Sequence, residues 1–142
     1  MITEDYVSFE TAKLLKEKGF NVETEHKMWY VIKQFSTGCH WNSCIYKEGD
    51  ITREHDKDYC IAMPTLQMAR KWLLEKHKLY IEIRITNHSM SNLIDIPKYY
   101  WVLFDATTVK WLGESTINKP IAFDSPEEGY EEAIKYCLKN LV

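Results

Sequence analysis

Apolar residues recur along this chain in two rhythms, and the rhythms mark out its elements. Phe9, Ala12 and Leu15 return at helical spacing, with Leu14 widening the face, which predicts a helix from Phe9 to Lys18. Ser8 stands where an N-cap belongs. Gly19 follows where a left-handed residue is needed, and Phe20 can fold back on the helix. Met28 to Phe35 is rich in aromatic and β-branched residues and predicts a strand. Ser36, Thr37 and Gly38 read as a turn, and Cys44 to Lys47 as the returning strand. Glu48 to Asp58 is mostly charged and reads as an exposed loop.

Pro64 and Thr65 open a second helix that runs to about His77. Leu66, Ala69, Trp72 and Leu73 form its apolar face, and Arg70, Lys71, Lys76 and Lys78 its basic one. Lysines near its C-terminus suit the helix dipole. From Leu79 to Thr86 the period becomes two: Leu79, Ile81, Ile83 and Ile85 alternate with Tyr80, Glu82, Arg84 and Thr86. Such a strand buries one face and wets the other. Tyr99 to Phe104 is apolar on both faces, which predicts a central or covered strand. Asp105 to Thr107 turn the chain into Thr108 to Leu112, closing a hairpin.

The last helix is announced by Ser125, Pro126 and Glu128 at its N-cap, N1 and N3 positions, the pattern of a capping box. Tyr130, Ala133, Ile134, Cys137, Leu138 and Leu141 then make one stripe. The predicted order is α-β-β-α-β-β-β-α. Hairpins dominate, so the expected fold is α+β, a mostly antiparallel sheet of about five strands with three helices packed on it. No linker or repeat interrupts residues 1–142, which are expected to form a single domain.

Composition changes this picture little. At 45% apolar and 13% aromatic, the chain has the means to build a packed core. A net charge of −3 lacks the basic excess that phosphate binding usually demands, though a local patch remains open. No apolar run approaches the ~18 residues of a membrane span. The N-terminal stretch from Met1 to Tyr6 is acidic and lacks the features of a secretory signal, so a cytoplasmic protein with reduced cysteines is expected.

Two groupings carry candidate chemistry. Cys39, His40, Cys44, His55 and Cys60 are the only metal-like set, and thiolate and imidazole ligands suit zinc. Their spacing departs from the paired Cys-x2-Cys knuckle, and buried thiols serving as small apolar residues are the stronger reading. The same thiols could hold a Cys/His nucleophile pair, for which no local signature exists. Asp50, Glu54, Asp56 and Asp58 lack the central glycine of a calcium loop and read as a solvated charged loop. The second grouping is aromatic: Trp29, Tyr30, Trp41, Tyr80, Tyr99, Tyr100, Trp101 and Trp111 lie on or near predicted strands. Most such rings belong to cores. A sheet face with exposed rings beside cations can stack a base or a ring ligand. The wet side of the strand after Leu79, with Tyr80, Glu82 and Arg84, is the candidate face. Phosphate loops, nucleophile elbows and His-Glu-x-x-His helices are absent from the sequence, so no cofactor is implied.

Three stretches carry a resemblance: FETAKLLKEKGF from Phe9 to Phe20, PTLQMARKWL from Pro64 to Leu73, and YEEAIKYCL from Tyr130 to Leu138. Together they resemble a group of small proteins carried by phages and mobile elements of gut Bacteroidetes. The resemblance covers the three helices and brings no catalytic residues with it. It implies a non-enzymatic accessory protein that binds a host protein or a small ligand. The alternative is a nucleic-acid-binding module using the basic helix 65–78 and strand 79–86, with Arg70, Lys71, Lys78 and Arg84 on phosphates and Tyr80 stacking.

Overall fold

The structure is a computed structural model, and it describes residues 4–20, 28–34, 41–47, 60–88, 96–115 and 122–142. Among the described residues, three helices and antiparallel strands make an α+β fold. Where the sequence pattern leads to one sheet of about five strands, the described residues hold six strands in two sheets of three. Contacts group the chain into two compact units, Met1–Thr65 and Leu66–Val142.

In the first unit, helix α1 (Phe9–Glu17) begins and ends as its sequence dictates. Ser8 Oγ accepts a hydrogen bond from the Thr11 N–H at 3.3 Å. At the other end Gly19 takes φ +90°, a conformation that costs glycine little and other residues more. The Gly19 N–H then donates to the Lys16 carbonyl at 3.1 Å and the Phe20 N–H to the Leu15 carbonyl at 2.9 Å. This pair of bonds is a Schellman motif, and it brings buried Phe20 back to the level of buried Leu15. Strands β1 (Met28–Gln34), β2 (Trp41–Lys47) and β3 (Cys60–Ala62) form an antiparallel sheet in the order β2-β1-β3. Strand β3 is the one that the pattern does not foretell: three residues at the end of a charged run carry no measurable period. Helix α1 packs against β3, and Val7, Ala12, Leu15, Phe20, Ile61 and Met63 are buried. The expected turn at 36–38 and the charged loop lie outside the described residues.

In the second unit, helix α2 (Leu66–His77) leads into a meander of β4 (Leu79–His88), β5 (Ile96–Asp105) and β6 (Lys110–Glu114), followed by helix α3 (Pro126–Asn140). Strand order is β4-β5-β6, so β5 is central, as its two apolar faces require. Trp101, Val102 and Leu103 are all buried. The capping of α3 is realised: Ser125 Oγ accepts from the Glu128 N–H at 3.2 Å, and Glu128 Oε2 accepts from the Asp124 N–H at 3.2 Å. The α3 stripe buries Gly129, Ala133, Ile134, Cys137 and Leu138. Tyr130 is half-buried, and Leu141, expected in the stripe, is 42% exposed because it lies past the last helical turn.

Both helices cover one face of this sheet. Leu79 and Ile81 are buried there, the Trp101 ring meets Tyr136 at 4.9 Å, and Gly129 lies over Ile83. Ile85 continues the same face but is 65% exposed, a departure from the uniform burial that the alternation predicts. Helical cover reaches Ile83, whose Cδ1 lies against Gly129 of α3, and Ile85 lies one pleat beyond.

Candidate binding surface

The other face of the second sheet is assembled by register. Tyr80 pairs with Phe104, and Phe104 pairs with Trp111. Three rings therefore stand at one level across three strands, spanning roughly 10 Å at the usual inter-strand spacing. The next level holds Glu82, Val102 and Glu114, and the next Arg84 and Tyr100.

The aromatic row depends on an irregularity. Leu103 pairs with Gly113 but Phe104 with Trp111, so Leu112 is an extra residue in β6 and forms a bulge. A regular ladder would set Leu112 opposite Phe104 and turn Trp111 toward the helix-covered face. The bulge puts the indole on the outer face instead. Tyr80 is 46% exposed and Trp111 47%, with Phe104 half-buried between them.

The hairpin beside the row is held from one side chain. Asp105 Oδ1 accepts from the Thr107 N–H at 2.8 Å and from the Thr108 N–H at 3.2 Å. These backbone bonds, first Thr107 and then Thr108, draw the Asp105 carboxyl below its usual range. Val109 completes the turn at φ +57°, a left-handed position that a β-branched residue occupies only under strain.

Two charges near the row are matched to each other. Arg84 Nε donates to Glu82 Oε1 at 3.1 Å and its terminal nitrogen to Glu82 Oε2 at 3.2 Å, a two-pronged pair. The bond to Glu82, then one to Tyr100, pushes the guanidinium further toward its charged form.

The residues singled out from sequence do not come together in one place. Tyr80 and Arg84 share the outer face. Arg70 and Lys71 sit on α2, away from it: the Arg70 guanidinium lies 3.7 Å from the centre of the Tyr130 ring, and Lys71 faces Glu75 at 3.9 Å. Lys78 ends α2 in a left-handed turn at φ +58°, with Nζ on the Glu75 carbonyl at 3.1 Å. Cys39, His40 and His55 lie outside the described residues. Cys44 and Cys60 occupy one level of the first sheet, because Val31 between them pairs with both. Two strand spacings, roughly 10 Å, exceed the reach of a disulfide. Phe104, Tyr100 and Trp111 complete the face that the sequence candidate only began. Their residue type is visible in the sequence, but the row needs the register and the bulge.

No helix among the described residues is long and apolar enough to cross a membrane. No family model, curated protein or solved structure matches this chain.

Proposed function

We propose that this chain works by binding rather than by catalysis, and that it holds a segment of a partner protein on the outer face of the β4–β6 sheet. The row Tyr80–Phe104–Trp111 carries the reading. Its outer rings leave nearly half their surface in water, on adjacent hydrogen-bonded strands. Tyrosine and tryptophan offer large contact areas at low entropic cost, which is why they concentrate at interfaces. The resemblance to accessory proteins of phages and mobile elements points the same way, with a host protein as partner.

The charges favour a protein over a nucleic acid. Phosphate binding draws its affinity from cations that release counterions. Here Arg84 is paired with Glu82, Lys71 faces Glu75, Arg70 covers Tyr130, and Glu82 and Glu114 stand on the face itself.

A displayed random-peptide library tests the reading. Peptides are selected on the wild-type protein with counter-selection on the doubly substituted Tyr80→Asp/Trp111→Asp variant. The expected binders carry apolar or aromatic residues, shift amide resonances of β4–β6, and weaken about tenfold or more with Trp111→Ala. Binders that map elsewhere would overturn the surface. Tight binding of oligothymidylate that fades with salt would establish the nucleic-acid alternative, and robust turnover on a nucleotide or peptide panel would end the non-catalytic reading.

A further inference from the structure

Strand β4 is an outer strand of its sheet, and no described strand pairs with its free edge. Proteins commonly blunt such edges with proline, lysine, a bulge or short length. Strand β4 lacks these: LYIEIRITNH runs ten residues, contains neither Pro nor Lys, and pairs with β5 in unbroken register, and its charges Glu82 and Arg84 are matched to each other rather than left to repel a second strand. Its backbone groups facing outward are a template for another strand. Beside that edge Ile85 is 65% exposed.

We propose that the occupant of this edge is a second copy of the chain, joined β4 to β4 in antiparallel fashion with the dyad at Ile83. Two patterns select that register. Pairing must keep face with face, because a one-residue slip would set apolar residues against polar ones. Among the face-preserving registers, a dyad at Glu82 sets Glu82 against its own copy, and a dyad at Arg84 does the same for Arg84. A dyad at Ile83 sets Glu82 opposite Arg84 of the second copy, twice by symmetry. The same register places Ile85 opposite Ile81 and Tyr80 opposite Thr86. The pair that now closes on itself along one strand thus becomes a four-charge alternating cluster across two. The product is a continuous six-stranded sheet with both aromatic rows on one side. The inference does not depend on what the aromatic row binds.

Charge reversal with rescue tests it. Sedimentation equilibrium of the wild-type chain is expected to give a dimer with Kd at or below roughly 100 µM. Glu82→Arg alone and Arg84→Glu alone set like charges opposite each other across the dyad. Each is expected to weaken the dimer about tenfold or more. Mixing the two variants restores a dimer as a heterodimer, and the double swap Glu82→Arg/Arg84→Glu restores it as a homodimer. A second reading needs no variant: amide exchange in β4 slows as wild-type concentration rises through the Kd. A wild-type chain that stays monomeric at several times that concentration would overturn the proposal. So would a dimer indifferent to both reversals, or β4 exchange independent of concentration.

Discussion

Gly129 lies in the first turn of α3, where alanine would ordinarily be better by about 1 kcal/mol. A Cβ there would stand 2.9 Å from Ile83 Cδ1, with Phe123 Cδ2 next at 3.7 Å. That methyl ends a flexible side chain, so it can swing aside at a cost of about 1 kcal/mol for a poor rotamer. Gly129→Ala in the wild-type background is therefore expected to be close to neutral, the helix gain offset by the displaced methyl. Ile83→Val removes the colliding atom and by itself destabilises by about 1 kcal/mol. In that background the nearest remaining neighbours are at ordinary contact distance, so Gly129→Ala should now stabilise by about 1 kcal/mol. The coupling across the cycle is then about 1 kcal/mol, measurable by urea denaturation of the four proteins followed by circular dichroism. Equal effects of Gly129→Ala in both backgrounds would refute the reading that Ile83 Cδ1 is the atom a side chain at 129 must displace.

Other outcomes follow from local geometry. Val109→Gly relieves a left-handed β-branched residue and should stabilise by about 0.5–1 kcal/mol in thermal melts, after the added entropy of an unfolded glycine is deducted. Asp105 has a depressed carboxyl pKa, so its contribution is present above the ordinary carboxylate range and is lost as pH falls through the lowered value. Asp105→Ala should therefore be less stable than wild type near neutral pH, and the gap should narrow from about pH 4 downward, as urea midpoints across pH would show. Cys137 is buried on α3, and burial pushes its thiol up to about 12. Iodoacetamide at neutral pH should spare Cys137 in the native protein and label it in urea, with mass spectrometry of the peptides as the measure.

The helix ends were the most legible part of the sequence. Ser8, Gly19 and Ser125 act through neighbours within six residues along the chain, so their roles can be read locally. The alternation after Leu79 likewise states which residues share a face. It does not state which strand lies alongside, and that is why two sheets replace the single one expected. The outer face shows the same limit. Tyr80 and Arg84 were readable as its members, but Trp111 joins them only through the extra residue Leu112, whose effect exists in the ladder and not in any periodicity. Arg70 illustrates the converse: a cation on a basic helix face reads as free for a ligand until α3 brings the Tyr130 ring beneath it.

The position of α3 after the strands it covers has a consequence for synthesis. The meander from β4 to β6 pairs neighbours in sequence and can close early while the chain is being made. The part of its greasy side that α3 covers, with Ile83 and Trp101, then waits for that helix to be made. That interval is when this protein is most open to capture by a chaperone or by another nascent chain.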